Sequence, residues 1–323
     1  LETAGLDRVV AGNIGSPLIQ SLEHPAGVGS SSTTYVVELS SFQLENIEQL
    51  RCDIAMILNV SPDHQDRYRD FNDYLRAKQQ IFRNQSGENH AVLNADDPHT
   101  LKMAADRRAM AVLYSRTQAL EQGVFLDDQR IQIAWKGEKI DFMAAGEVRL
   151  RGSHNLENVL AATAAGFLCG VDQEAMRETF RNFAGVEHRL ELVRDLGGVA
   201  FYNDSKATNV QSTFQALRAF SEPLVLIMGG LDKGSAFSAL TSLMNEKVKR
   251  LILLGAAGDR IEAALGEGVP TIRAREMRQA VQLAHDHAVS GDVVVLSPGC
   301  ASFDMFEDFE HRGRVFKEAV DAL

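Results

Sequence analysis

Short runs of hydrophobic residues alternate with amphipathic segments along almost the whole chain. In the first half, such runs predict β-strands at Arg8–Ala11, Thr34–Leu39, Asp53–Asn59, Ala91–Leu93 and Ala109–Tyr114. Between them, Phe71–Asn84 carries apolar side chains at the spacing of one helix face. Strands that alternate with helices are typical of α/β layers around mainly parallel sheets, and we expect this fold class.

The pattern changes at Gly123–Leu150, where short alternating segments are separated by Asp127-Asp128 and Lys136-Gly137. These turn residues predict a small antiparallel sheet. Helical spacing then predicts two helices, at Asn155–Cys169 and Gln173–Phe183.

The second half restarts the alternation of strands and helices. The predicted strands are Arg189–Arg194, Val199–Tyr202, Leu224–Met228, Arg250–Leu254 and Asp292–Leu296. The predicted helices are Ala207–Ala219, Phe237–Asn245, Asp259–Leu265, Arg275–Val289 and Phe306–Ala322. We place a domain boundary near Gly185, which gives domains 1–185 and 186–323 with a cleft between them as the expected site.

Composition narrows the functional classes. The 323 residues include 33 Lys and Arg against 44 Asp and Glu, a net charge of −11, which argues against a general nucleic-acid binder. The longest apolar stretch, Val159–Val171, is too short to cross a membrane and suits a buried helix. Cys52, Cys169 and Cys300 are far apart, which favours reduced thiols in a cytoplasmic protein.

Polar side chains at predicted strand ends form the first candidate site. Glu38 lies near the end of the predicted strand Thr34–Leu39, and His64 and Asp66 follow the next strand. Ligands gather beyond the carboxyl ends of parallel strands, so these residues predict a divalent-metal site, with a surface acid and a loop histidine as the alternative. Lys78 lies on the following helix and either returns to this edge or belongs to a solvated cationic face.

Two further segments contain polar groups at the start of a predicted helix. Asn155 and Asn158 share one face of a first turn, where Asn155 or Ser153 is alternatively an N-cap. The run Asn203–Asn209 lies between a strand and a helix. Its Lys206 is a cation at the predicted N-terminus of a helix, where the helix dipole disfavours positive charge. An anionic ligand bound at that N-terminus would offset both charges, so the position of Lys206 favours such a ligand.

Later strand ends supply two more polar turns. Met228–Gly234 is a glycine-rich turn with Lys233, but it lacks the Gly-x-x-x-x-Gly-Lys-Ser/Thr spacing of a phosphate-binding loop. Ser297–Asp304 offers hydroxyls and backbone amides after the last strand. We interpret its Cys300 as a buried, inert thiol because no base lies beside it in sequence.

Together these segments resemble the Mur ligases, which are ATP-dependent enzymes of peptidoglycan precursor synthesis. The resemblance is strongest to the members that add D-glutamate, and it depends most on Asn203–Asn209. The other matching motifs are Gly12-Asn13-Ile14-Gly15, Glu38–Gln43, Asp63–Arg67, His154–Asn158, His188-Arg189 and Ser297–Asp304.

The resemblance implies a central ATPase-like domain with a small antiparallel sheet, followed by a Rossmann-like domain for the incoming amino acid. It implies amide-bond formation between UDP-N-acetylmuramoyl-L-alanine and D-glutamate through an acyl phosphate, with ATP and two Mg²⁺ ions. We also expect a monomer, because the sequence shows no long exposed apolar stripe. Glu38 and His64 would hold the metal together with Lys78, which CO₂ would carbamylate. The implied nucleotide ligands are Asn155, Asn158, Arg189, Asp204 and Lys206. The implied substrate ligands are Asn13, Ser40, Thr208, Lys233, Ser302, Phe303 and Phe309.

The chain departs from the family pattern at its start. Leu1–Ala4 reads like the last turn of a helix closed by Gly5, and the family's N-terminal domain and phosphate-binding loop are not in the sequence. We therefore expect the chain alone to be inactive. The alternatives are a Mur or folylpolyglutamate-type ligase for another amino acid, or a non-catalytic scaffold.

Overall fold

A computed structural model describes residues 1–23, 33–61, 67–105 and 108–323, which form two compact units. Unit 1 comprises Leu1–Arg149 and Asn155–Asn182, and unit 2 comprises Leu150–His154 and Phe183–Leu323. The main division thus falls at Phe183, and Leu150–His154, which includes the first two residues of the helix that begins at Ser153, also belongs to unit 2.

Unit 1 contains two sheets within the described residues. The strands are β1 (Arg8–Gly12), β2 (Thr34–Glu38), β3 (Ile54–Ile57), β4 (His90–Asn94), β5 (Met110–Ser115), β6 (Gly123–Asp127), β7 (Arg130–Trp135) and β8 (Glu138–Ala144). The helices are α1 (Ser41–Leu44), α2 (Phe71–Gln79), α3 (Pro98–Ala105), α4 (Ser153–Leu168) and α5 (Gln173–Asn182). Strands β1 and β2 form a parallel pair, and β3 to β8 form a second sheet in chain order.

The predicted antiparallel strands β6 to β8 are not a separate small sheet. They continue the parallel strands β3 to β5, because β5 pairs with β6 in parallel and the chain then reverses twice. The first reversal uses Asp128 and Gln129, and the second uses Lys136 and Gly137, all with positive φ. Two successive positive φ values match the twist of a tight hairpin.

The larger sheet of unit 1 has a hydrophobic layer on each face. On strand β4, Ala91 and Leu93 pack toward one cluster and Val92 toward the other, as alternation along a strand requires. Helices α4 and α5 cover the second face, where the chain's one tryptophan, Trp135, meets the Phe167 ring at 5.8 Å between centroids.

Unit 2 contains one sheet among the residues described. Its strands are β9 (Glu191–Leu196), β10 (Val199–Asn203), β11 (Leu224–Met228), β12 (Val248–Leu253), β13 (Thr271–Arg273) and β14 (Val293–Leu296). Its helices are α6 (Val210–Arg218), α7 (Thr241–Lys247), α8 (Gly258–Leu265), α9 (Met277–His287) and α10 (Phe309–Asp321). The strand order is β13-β12-β11-β14-β10-β9, and only the edge strand β9 runs antiparallel.

Helices cover both faces of the unit 2 sheet. Helices α6, α7 and α8 pack on one face, and α9 and α10 pack on the other. Strands buried on both faces are continuously apolar, as in Leu224–Met228, whose five residues are all buried. The predicted α/β class with mainly parallel sheets is confirmed.

Among the helices of the described ranges, none is both long enough and apolar enough to span a membrane.

We expect Leu226→Ala to destabilise unit 2 by about 2–5 kcal/mol, because Leu226 is 0% exposed in the central strand β11 and its loss leaves a cavity. Differential scanning calorimetry measures the shift of the melting transition. Leu192→Ala in edge strand β9 is the control, since Leu192 is 51% exposed and should change stability by less than about 1 kcal/mol. Equal shifts for both variants would contradict this core assignment.

Candidate active site

Three of the predicted residues lie at the carboxyl end of the β1–β2 pair. The Asn13 N–H donates to the Glu38 carbonyl at 2.8 Å, which places these two residues side by side. Gly12 has φ +123°, and a Cβ there would lie 2.1 Å from the Glu38 carbonyl oxygen, so this approach requires glycine. Ser40 follows as the N-cap of α1, where its hydroxyl accepts from the Gln43 N–H at 3.3 Å.

The predicted metal site is only partly described. Glu38 is exposed at the end of β2. Among the described residues, β2 pairs with β1 whereas β3 pairs with β4, so the two strands do not end at one sheet edge as predicted. Strands that follow each other in sequence need not pair, and here α1 separates them. His64 and Asp66 lie outside the described residues.

Lys78 lies on α2, half-buried along the helix surface. Its Nζ is 5.0 Å from the centroid of the buried Tyr74 ring, one turn earlier. This cation–π contact orients the amine and removes part of its hydration.

Asn155 lies in the first turn of α4 and Asn158 in the second, because the helix begins at Ser153. The helix begins at Ser153, so the alternative of Ser153 or Asn155 as the N-cap is wrong. Asn155 is half-buried and Asn158 exposed, and their three-residue spacing places both on one side of the helix.

Asp204 follows β10 and is the most strongly perturbed carboxyl group of the predicted site. It accepts hydrogen bonds from the Ser297 hydroxyl at 2.8 Å and from the Leu190 N–H at 3.2 Å. Burial raises its pKa to about 7, although these hydrogen bonds and the charge of Arg189 act in the opposite direction. This carboxyl group therefore titrates near neutral pH.

Arg189 is exposed on a tight turn beside Asp204. The residues on either side, His188 and Leu190, have φ of 65° and 43°. The turn is fixed because the His188 carbonyl accepts from the Lys206 N–H at 3.1 Å. The structure thus brings together Arg189, Asp204 and Lys206.

Lys206 does not lie at the N-terminus of a helix, as the sequence predicted. Helix α6 begins at Val210, and the Asn209 side chain caps it by accepting from the Ser212 N–H at 2.8 Å. Lys206 therefore lies before the helix, and the argument from its dipole is wrong. Its Nζ instead lies 5.1 Å from the centroid of the Phe309 ring.

Backbone hydrogen bonds join the loops that carry the predicted amino-acid ligands. Gly299 N–H donates to the Ala207 carbonyl at 2.9 Å, which places Thr208 near the Ser297–Asp304 loop. Leu231 and Ala301 exchange two backbone hydrogen bonds, at 2.8 and 3.1 Å, two residues before Lys233. Ser302 is buried and Phe303 exposed next to this bridge.

Comparison with known proteins identifies the family to which this chain is similar. The family described as "Mur ligase middle domain" matches residues 21–166, and "Mur ligase, glutamate ligase domain" matches residues 188–300. The UDP-N-acetylmuramoylalanine--D-glutamate ligase of Koribacter versatilis is 44% identical over 99% of this chain and 70% of that protein. That of Symbiobacterium thermophilum is 45% identical over 100% of this chain and 71% of that protein.

The chain belongs to the Mur ligase family.

Solved structures show the same fold. A UDP-N-acetylmuramoyl-L-alanyl-D-glutamate--2,6-diaminopimelate ligase has a TM-score of 0.68 at 22% identity, over 99% of this chain and 74% of that chain. The MurF ligase of Thermotoga maritima in complex with ADP has a TM-score of 0.66 at 14% identity, over 99% of this chain and 82% of that chain.

The sequence pattern assigned no role to two buried residues beside this candidate site. His188 contacts the Asn203 amide through Nδ1 at 2.9 Å, and Arg312 on α10 donates to Ser205 and to the Cys300 carbonyl. The available signal for Arg312 was its helical spacing, four residues before the buried Phe316. The Cys300 thiol is buried and its pKa is raised to about 11, which agrees with an inert thiol.

We expect Asp204→Asn to become more stable relative to wild type as the pH rises. The folded-state pKa of about 7 exceeds the ordinary 3.8, so the folded wild type binds the proton more tightly than the unfolded chain does. The wild type therefore loses stability as the pH rises from 3.8 to about 7. The difference should grow by at most about 1.4 kcal/mol for each pH unit. Urea denaturation from about pH 4 to about pH 8 measures it.

Ser297→Ala provides a second arm of this test. The Ser297 hydroxyl lowers the pKa of Asp204, so its removal should move the sensitive pH range upward. A stability difference between Asp204→Asn and wild type that does not change with pH would contradict the titration of Asp204.

Proposed function

We propose that this chain carries the nucleotide-binding and amino-acid-binding parts of a ligase that adds D-glutamate to UDP-N-acetylmuramoyl-L-alanine. The observation that carries the proposal is 44% identity to a UDP-N-acetylmuramoylalanine--D-glutamate ligase over 70% of that protein's length. The convergence of Asp204, Lys206, Lys233 and Ser302 at one end of the unit 2 sheet supports it.

The proposed reaction has two steps. The substrate carboxylate attacks the γ-phosphorus of ATP, and the bond between that phosphorus and the β-phosphate oxygen breaks. ADP is the leaving group, and the substrate becomes an acyl phosphate. The D-glutamate amine then attacks the acyl carbon, loses its proton and expels phosphate as the amide forms. Cationic side chains and N–H groups that face the developing negative charge lower both barriers.

In this proposal the nucleotide contacts Asn155, Asn158, Arg189, Asp204 and Lys206. Asp204 accepts two hydrogen bonds that fix its orientation, and exposed Arg189 provides a cation next to it. ADP in the Thermotoga maritima relative supports nucleotide binding by this fold.

Glu38, His64 and Lys78 would hold Mg²⁺ in this proposal, and the ion would offset negative charge on the phosphates. The exposed Glu38 carboxylate fits such an ion, whereas an unmodified lysine is a cation and does not. Addition of CO₂ to the Lys78 amine would replace that cation with a carboxylate, which fits. The half-buried position over Tyr74 is compatible with this modification.

D-Glutamate carries two carboxylates and so requires two sets of donors. Lys233 is exposed on a turn in which the Asp232 carboxylate accepts from the Gly234 and Ser235 N–H groups at 3.1 and 2.8 Å. This turn and the Ser302 loop would each bind one carboxylate, with Thr208, Phe303 and Phe309 around them. Asn13 and Ser40 would contact the muramoyl substrate.

The proposal also includes a compartment, an oligomeric state and the classes of partner that the protein does not bind. We place it in the cytoplasm, with the protein as a monomer that binds neither nucleic acid nor membranes. Three free cysteines support a reducing compartment, and the charge of −11 argues against binding to nucleic acid.

We expect phosphate release to depend on D-glutamate when the protein expressed from its complete coding sequence is supplied with ATP, Mg²⁺ and UDP-N-acetylmuramoyl-L-alanine. Lys233→Met should raise the KM for D-glutamate by at least about tenfold because it removes a charge-assisted contact. Lys102→Met, on the exposed surface of α3, is the control. Faster release with meso-diaminopimelate or L-alanine indicates another ligase of the family, and no release with any amino acid indicates a scaffold.

We expect Lys78→Arg to lower kcat about 100-fold or more, since guanidinium keeps the charge but does not form the carbamate. Native mass spectrometry should find one added CO₂ on the wild type that acid removes. Lys102→Arg should keep both the added mass and the rate. Full activity of Lys78→Arg would overturn the role given to Lys78.

A further inference from the structure

Arg312 is a buried cation without a carboxylate partner among the described residues. It lies on α10 and is 2% exposed. Its Nε donates to the Ser205 hydroxyl at 3.0 Å, Nη2 to the Ser205 carbonyl at 2.8 Å and Nη1 to the Cys300 carbonyl at 3.1 Å. All three acceptors are uncharged, so the guanidinium charge is not neutralised by direct contact.

The two acceptor residues belong to different loops. Ser205 lies in the Asn203–Asn209 loop after β10, and Cys300 lies in the Ser297–Asp304 loop after β14. The two strands are parallel neighbours that end together, with Asn203 paired to Leu296. Arg312 therefore connects the loop given to the nucleotide with the loop given to D-glutamate.

The first residue of helix α10, Phe309, is hydrogen-bonded to the Asn203–Asn209 loop. The Ser205 hydroxyl donates to the Phe309 carbonyl at 2.8 Å while accepting from Arg312. The Lys206 amine also makes a cation–π contact with the Phe309 ring. The start of α10, the nucleotide loop and the glutamate loop thus form one hydrogen-bonded assembly around the guanidinium.

Stability alone does not explain an arginine at this position. Burial lowers the pKa of Arg312 to about 10, although the charges of Cys300 and Asp304 act in the opposite direction. The side chain therefore stays charged at neutral pH, and its desolvation opposes folding. An apolar side chain of similar size would fill the same space without this cost. The planar fork of donors is what an apolar residue or a lysine does not reproduce.

We propose that Arg312 is a positioning residue that fixes the nucleotide loop and the glutamate loop relative to each other, and thereby sets the distance between acyl phosphate and D-glutamate amine. This inference rests on the proposed function. It assigns Arg312 no contact with either substrate, and its effect passes through Ser205 and the Cys300 carbonyl.

The test compares Arg312→Lys and Arg312→Gln with Arg314→Gln, an exposed arginine on the same helix, in protein from the complete coding sequence. Steady-state assays give KM for ATP, KM for D-glutamate and kcat, and thermal unfolding gives the melting temperature. Both Arg312 variants should raise both KM values by at least about tenfold and lower kcat, since a small displacement of reacting groups is costly. Arg314→Gln should stay within about twofold of wild type.

A purely structural role predicts a different result. Lost stability reduces the amount of folded enzyme and the apparent kcat, but the KM of the folded molecules does not depend on their concentration. KM values within about twofold of wild type in folded Arg312 variants would therefore overturn the proposal. If neither variant folds, Ser205→Ala decides, because it removes one acceptor and should raise the same two constants. No turnover by wild type would overturn the proposed function, and this inference with it.

Discussion

Parallel pairing of the unit 2 strands is the constraint on which the candidate site depends. Strands β10, β14, β11 and β12 run in one direction, so the segments that follow them emerge at one edge of the sheet. Their backbone groups no longer have strand partners there and bond to each other instead, as between Gly299 and Ala207. Residues from three distant parts of the sequence are thereby held within hydrogen-bond distance of one another, and the polar groups of the site depend on that framework.

The strands were predictable where burial on both faces leaves a continuous apolar run. Leu224–Met228 was predicted with the bounds that the structure has, because all five residues are buried. The three-residue strand Thr271–Arg273 was not predicted, since it has one apolar residue and gives no periodic signal. Helix α3 was also missed, because it begins with Pro98 and polar residues that resemble a turn. Apolar runs along the chain indicate where strands form. Which strands pair with each other depends on contacts between distant residues, which the sequence does not display.

The candidate site also contains positions that the sequence predicts and positions that it does not. Positions at strand ends, such as Glu38 and Asp204, follow from the order of elements along the chain. The interior position of Arg312 does not, because its acceptors are 107 and 12 residues away. The start of α6 was placed too early because Ala207 and Thr208 do not interrupt a helical pattern, while the Asn209 cap determines where the helix begins. Local signals therefore identified polar turns, but tertiary contacts decide which side chain of each turn is buried.

The single tryptophan gives the two units different optical properties. Trp135 packs against Phe167 within unit 1, and unit 2 contains no tryptophan. Fluorescence excited at wavelengths that avoid tyrosine therefore follows the environment of unit 1 alone. Circular dichroism follows helices and strands in both units. The difference between the two signals during denaturation would then resolve the order in which the two units unfold, without any label attached to the protein.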